Sequence, residues 1–237
     1  MSNLFAFGCS FTHGYGLPDV VQYMTGNEIY PTKFGKNYNF GSKLAWPQLL
    51  ANKLNFECYN YGCCGASGKE VVRLFTQCLQ HNMISNKDTV AILWPTFSRT
   101  GIFENDPLSN SSDTNLITNR IWADSGEGRS KVFYYSYYNE YDFAIQRWQE
   151  IILVDLLCKE RGINCYHSTI NKELTPAEVG LESITKNMNI DFIQVGSTKG
   201  RESPFIVDAA ADGKHHGPKS NELIASKWFS FIKGINK

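Results

Sequence analysis

Charge is scarce in this chain. Asp, Glu, Lys and Arg supply 19% of its 237 residues, against roughly 25% in ordinary soluble domains. Neither sign dominates, since 23 basic residues stand against 23 acidic ones. Without a basic excess the chain lacks the electrostatic footprint of nucleic-acid binding, so no nucleic-acid partner is expected. Long apolar runs are missing too: nothing approaches the roughly 18 consecutive apolar residues of a membrane span. The start, Met1-Ser2-Asn3-Leu4-Phe5-Ala6-Phe7-Gly8, has no basic leader. It reads as a first strand rather than a signal peptide, and a cytoplasmic location is expected. The seven cysteines show neither an even count nor paired metal-type spacing. Free thiols in a reducing compartment are expected, with no structural zinc. What the chain does have is apolar mass, 42% of residues, including 15 Phe, 12 Tyr and 5 Trp. That is too much for a disordered chain and enough for one core, so residues 1–237 are expected to form a single domain.

Short apolar runs alternate with helix-like stretches. Strands are predicted at Leu4–Gly8, Phe56–Tyr61, Thr89–Trp94 and Asn164–His167. Helices are predicted at Lys43–Leu54 with Pro47 in the first turn, Lys69–His81, Tyr141–Arg161 stopped by Gly162, and Asn221–Lys233. Thr89–Trp94 is an unbroken apolar run of the kind buried on both faces of a sheet. This alternation predicts an α/β fold with a mostly parallel sheet covered by helices. Two polar, weakly periodic stretches near 18–42 and 97–130 are expected to be long loop insertions. Each follows a predicted strand and so leaves the carboxyl edge of the sheet, where ligands bind in open α/β folds.

Three segments carry residues suited to chemistry. Gly8-Cys9-Ser10-Phe11-Thr12 places a serine at the end of the first strand, though taken alone the string reads first as an ordinary Ser/Thr turn. Asp212-Gly213-Lys214-His215 places a carboxylate three residues before a histidine. Such a carboxylate can accept the imidazole Nδ1–H and leave Nε2 free as a base, although a solvated polar turn has the same composition. His216 could reach as well as His215. The stretch Asn60–Gly68 is glycine-rich between a strand and a helix. It is either a tight turn or a set of exposed N–H groups suited to an oxyanion. It matches neither a phosphate-binding P-loop nor the dinucleotide fingerprint, because its glycines are spaced by three and Lys69 is followed by Glu70. No metal or cofactor is expected.

Taken together and in this order, the three segments resemble the SGNH hydrolases, also called GDSL-type esterases. The resemblance runs over nearly the whole chain in element order and looks nearest to compact bacteriophage-encoded members. It implies a flavodoxin-like three-layer α/β/α fold. It also implies Ser10 as nucleophile, Asp212 and His215 as its partners, and the Gly65 N–H in the oxyanion hole. The family's third block, after the third strand, carries an asparagine that completes that hole. Here the segment reads Leu93-Trp94-Pro95-Thr96-Phe97-Ser98-Arg99, with Thr96 nearest and Ser98 and Arg99 as alternatives. Losing one such donor costs about a hundred- to a thousandfold in rate. An α/β-hydrolase is set aside, because its G-x-S-x-G elbow lies in mid-chain and Thr12 stands where the second glycine would be.

The implied activity is serine ester hydrolysis, with a small neutral ester or O-acylated glycan, especially an O-acetylated one, as substrate. The alternative is a decayed site on a binding or structural module such as a virion accessory protein. Tyr134, Tyr135, Tyr137, Tyr138 and Tyr141 crowd into eight residues and are expected to leave some rings exposed, as a surface for a homo-oligomer or a virion assembly. Trp46, Trp148 and Trp228 are expected in the core, and Cys9 is expected to point away from the Ser10 side chain. Cys63 and Cys64 are expected as packed thiols. His13 is expected in a loop, His81 on a helix surface and His167 at a strand end.

Overall fold

The structure is a computed structural model that describes residues 2–20, 41–105, 116–121, 136–170, 174–188, 190–193 and 206–234. The elements run β1 (Asn3–Gly8), α1 (Ser10–His13), α2 (Trp46–Leu54), β2 (Glu57–Gly62), α3 (Gly68–Gln80), β3 (Thr89–Trp94), β4 (Thr100–Asn105), β5 (Leu116–Ile121), α4 (Glu140–Glu160), β6 (Asn164–Thr169), α5 (Glu182–Met188) and α6 (Pro218–Ile232). Four strands form one parallel sheet in the order β2-β1-β3-β6. Beyond β6, Phe192 makes an isolated parallel bridge to His167.

The sheet is covered on both faces, which is why its central strands carry no polar face. Phe5 and Phe7 of β1 and Val90, Ile92 and Trp94 of β3 pack with Val71, Leu74 and Phe75 of α3 and Ile151 and Val154 of α4. Leu4, Ala6, Ala91 and Leu93 point the other way, onto Trp46 and Leu50 of α2 and Ile224 and Trp228 of α6. Trp46 and Trp228 stack with centroids 5.5 Å apart. Fully buried side chains such as Phe75 and Ile92 each contribute about 1.5–3 kcal/mol. This is the expected three-layer α/β/α architecture. The three helix tryptophans are buried, Cys9 packs in the α2/α6 core, and burial pushes the Cys58 and Cys78 thiols up to about 12. None of the seven cysteines is in a disulfide.

Two features depart from expectation. Within 97–130, expected as loop, β4 and β5 pair as an antiparallel hairpin with Ile102 opposite Asn119 and Phe103 opposite Thr118. Each strand is only six residues long, and short strands gain stability from cross-strand partners rather than from a pattern visible in one segment. His167, expected at a strand end, lies inside β6 and is completely buried. The sequence-based strand stopped there because His-Ser-Thr is polar, yet β6 continues to Thr169. Most of the first insertion lies outside the described residues. No described helix is long and apolar enough to cross a membrane.

The strand order matters for the site. After β1 the chain departs toward β2, and after β3 it departs toward β6, so the two carboxyl-end connections diverge between neighbouring strands. Open α/β sheets bind ligands in the crevice such a divergence leaves. Ser10 stands at its rim.

Candidate active site

Cys9 ends the extended backbone of β1, and Ser10 opens the single helical turn of α1. The N–H groups of Thr12 and His13 both return to the Cys9 carbonyl at 3.0 Å, and that of Gly14 to Ser10 at 2.9 Å. The turn is tight because Gly8 has no side chain: a Cβ there would lie 2.1 Å from Thr12 Oγ1 and 2.6 Å from the Leu93 carbonyl oxygen. Gly62, at the end of β2, approaches equally closely, since a Cβ would lie 2.2 Å from the His13 nitrogen.

A buried asparagine locks this junction. Asn60 Nδ2 donates to the Thr12 carbonyl at 2.8 Å, and Asn60 Oδ1 accepts from the Gly62 N–H at 2.9 Å. Sequence reasoning gave Asn60 no role. The signal was an amide in the interior of a strand otherwise facing the core, a position that demands hydrogen-bond partners. Cys63 N–H then donates to the Gly8 carbonyl at 2.9 Å. The glycine-rich loop is thereby held against the serine turn, and Gly65 adopts φ +74° within it.

The third segment folds as a small hairpin over 209–216. Ala209 and His216 form an antiparallel bridge, and Ala210 N–H donates to the His215 carbonyl at 2.9 Å. Asp208 caps α6 through the N–H groups of Lys219 and Ser220, at 3.0 and 2.8 Å. Asn221 donates to the carbonyls of His216 and Gly217, and so ties the hairpin to α6. Across the crevice, Ala211 N–H donates to the Gly16 carbonyl at 3.1 Å and joins the hairpin to the loop that follows Ser10.

Ser10, Asp212 and His215, 205 residues apart at the extremes, meet in one line. Asp212 Oδ2 stands 2.5 Å from His215 Nδ1, and His215 Nε2 stands 2.8 Å from Ser10 Oγ. A carboxylate only accepts, so Nδ1 carries the proton and Nε2 is left to accept from the serine hydroxyl. Asp212 Oδ1 also accepts the backbone N–H groups of Lys214 and His215, each at 3.0 Å. Burial works against the Asp212 charge, but these bonds and the one to the imidazole outweigh it, and its carboxyl sits below the ordinary carboxylate value. Phe11 and Tyr15 flank the imidazole, with centroids at 4.8 and 5.0 Å.

Of the two histidines, His215 is the one set against Ser10. His216 packs against Phe11 at 4.7 Å on the buried side of the hairpin. Burial and the neighbouring His215 lower its pKa to about 4. Thr96 sits beyond β3, where its hydroxyl is 3.0 Å from Ser98 Oγ. Among the described residues, no hydrogen bond joins it to Ser10 or Gly65. His81 is exposed at the end of α3, whereas His13, expected in a loop, ends the α1 turn and is half-buried. Of the tyrosine cluster, Tyr137 and Tyr141 are exposed and Tyr138 packs on Phe143; Tyr134 and Tyr135 lie outside the described residues. No group of side chains able to hold a metal ion occurs among the described residues.

No protein-family model matches the sequence, and no curated protein matches it. Solved structures do share its fold. A member of the lipolytic protein G-D-S-L family from Veillonella parvula DSM 2008 superposes with a TM-score of 0.52 at 13% identity over 100% of both chains. The psychrotrophic esterase EstA from Pseudoalteromonas sp. gives 0.51 at 12% identity, again over 100% of both. The acetyl xylan esterase Est2A from the rumen bacterium Butyrivibrio proteoclasticus gives 0.52 at 14% identity, over 99% of this chain and 64% of that one. The chain has the fold of the GDSL lipolytic proteins and carbohydrate esterases.

Proposed function

We propose that the protein is a serine ester hydrolase of the SGNH type. The observation that carries this reading is the Asp212–His215–Ser10 line, with Ser10 Oγ within hydrogen-bond reach of an imidazole whose other nitrogen is fixed by a carboxylate. Ser10 Oγ attacks the ester carbonyl while His215 Nε2 takes its proton. The tetrahedral oxyanion is held by the backbone N–H groups of Ser10 and Gly65. His215 then protonates the departing alkoxide, leaving an acyl-serine. Water, deprotonated by the same imidazole, attacks that carbonyl and releases the acid. Asp212 keeps the proton on Nδ1 throughout and stabilises the transient imidazolium.

Thr96 is the candidate third oxyanion donor, with its hydroxyl proton available when Ser98 is the donor in the contact between them. An O-acetylated glycan is the substrate class we favour. The Phe11 and Tyr15 rings beside the imidazole offer faces on which a sugar can stack, and an acetyl xylan esterase shares the fold. The 2.8 Å approach of serine to imidazole counts against a decayed site on a binding module, which would let the two drift apart. The test is turnover of p-nitrophenyl acetate by wild type and Ser10→Ala. Wild type should hydrolyse the ester, and Ser10→Ala should fall to the buffer rate, a loss of up to about 10⁶-fold; equal rates would overturn the assignment.

A further inference from the structure

A second group of ionisable side chains lies at the same sheet edge, on the α3/α4 side. It surrounds a small, partly open cavity lined by Lys69, Phe97, Arg99, Phe143, Arg147 and Glu150, among others. The strand register places the β3 side of this cavity at the end of the strand next to the one that leads to Ser10. Leu93 of β3 pairs with Gly8 of β1, and Pro95 and Ser10 each lie two residues further along their neighbouring strands. The first α3 residue that lines the cavity is Lys69, four residues and at most about 14 Å of chain from Gly65.

The charges in the cavity do not balance. Arg147 is buried and fully engaged: its Nε donates to Glu150 Oε2 at 3.1 Å and its Nη1 to the Pro95 carbonyl. Its guanidinium carbon stands 5.2 Å from the centre of the Trp94 ring. Glu150 lies against Gly68 in the space a side chain there would fill. Burial pushes the Glu150 carboxyl up, and Arg147 opposes that rise. This acid is thus matched by Arg147, and it is the single acid among the cavity's lining residues. Arg99 is not matched. Its Nη1 is buried and has no hydrogen-bond partner among the described residues, an arrangement that is costly unless an acceptor arrives. Lys69 adds a second cation at the exposed rim, and Phe97 and Phe143 give the cavity an apolar flank.

We propose that this cavity binds the carboxylate of an anionic ester, so that the protein prefers esters bearing a carboxylate near the scissile bond to neutral ones. The planar guanidinium fork of Arg99 suits a carboxylate bidentately, and the Arg147–Glu150 pair supplies a fixed wall beside it. The proposal rests on the ester-hydrolase reading for its position and departs from the neutral substrate expected from sequence. Zero net charge describes the whole chain, whereas this cavity concentrates one sign.

The test has a binding arm and a turnover arm. Calorimetric titration of Ser10→Ala with 4-acetoxybenzoate and with its methyl ester reads recognition without hydrolysis. The carboxylate should bind at least about tenfold more tightly and weaken with added salt, and adding Arg99→Gln should remove the difference. In the turnover arm, the kcat/KM ratio of the carboxylate to its methyl ester should exceed about ten in wild type and fall toward one in Arg99→Gln. If Arg99→Gln does not fold by circular dichroism, the exposed Lys69→Gln should lower both ratios in part. Equal binding of the two esters by Ser10→Ala overturns the cavity assignment whatever the turnover. Tighter carboxylate binding without any turnover by wild type upholds the cavity and removes the hydrolase reading alone.

Discussion

Among the described residues, two histidine–aspartate pairs lie within ion-pair distance, and one of them faces a serine hydroxyl. In the hairpin before α6, Asp212 stands 2.5 Å from His215 Nδ1, and Nε2 is left to accept from Ser10. In the core between β6 and α4, His167 Nδ1 accepts from Trp94 Nε1–H at 3.2 Å. Indole only donates, so the His167 proton must sit on Nε2, which faces Asp155 Oδ1 at 3.6 Å and Cys165 Sγ at 3.4 Å. The two imidazoles therefore carry opposite tautomers. Asp155 is engaged further by Lys159 at 2.6 Å. Burial opposes the Asp155 charge, and the bonds from His167 and Lys159 overcome it, keeping its carboxyl below the usual value. Burial also holds His167 below the ordinary histidine value. Identical side-chain types thus serve opposite ends: one pair directs an imidazole nitrogen at the Ser10 hydroxyl, and the other lies buried between α4 and the sheet.

Matched substitutions separate the two pairs. Asp212→Asn should lower kcat/KM for p-nitrophenyl acetate by about 10⁴-fold, because an amide no longer enforces the Nδ1–H tautomer. Its melting temperature should stay near wild type, since the amide oxygen can still accept the Lys214 and His215 N–H groups. Asp155→Asn should do the reverse. We expect about 2–4 kcal/mol less stability in urea titrations, from a broken buried pair, with kcat/KM within about twofold of wild type. A large activity loss in Asp155→Asn without destabilisation would erase the distinction.

The pH dependence of stability sharpens it. His216 titrates near 4 when folded and near 6.5 when unfolded. Between those values the unfolded chain binds a proton that the folded chain does not. Stability should therefore fall as pH drops from about 6.5 toward 4, by on the order of 2–3 kcal/mol. His167 acts in the same direction. His216→Leu should flatten part of this slope in urea titrations across that range; an unchanged slope would place His216 in water. Smallest in energy is Asn60→Ala, which should cost about 1–3 kcal/mol, from an unpaired Thr12 carbonyl and Gly62 N–H. It should also reduce kcat more than it raises KM, as expected if Asn60 positions Ser10 through its turn.

The layers of the fold were legible because they rest on local pattern. Runs such as Leu4–Gly8 and Thr89–Trp94 are apolar throughout, and α3 repeats its apolar residues at helical spacing. The hairpin of β4 and β5 was not legible, because six-residue strands draw stability from partners that here lie 11 to 21 residues away. Asn60 was hidden for a related reason: its partner Thr12, 48 residues away, becomes a neighbour only when β2 lies beside β1. His167 was misplaced because polar residues in a strand suggest its end until a partner such as Trp94 appears across the sheet.

By itself, the sequence determined the alternation of strands and helices, and the three short segments that carry Ser10, Gly65 and Asp212 with His215. These follow from side-chain periodicity and from turn chemistry, both local properties of the chain. Only the tertiary structure decided that His215 rather than His216 faces the serine, since the antiparallel bridge at 209 and 216 turns adjacent residues to opposite sides. It alone decided that Asp155 and His167 form a structural pair, and that Arg99, Arg147 and Glu150 gather around one cavity. Charges far apart in sequence meet only through the parallel register of β1 and β3 and the packing of α3 on α4, and burial then fixes which of them is left without a partner.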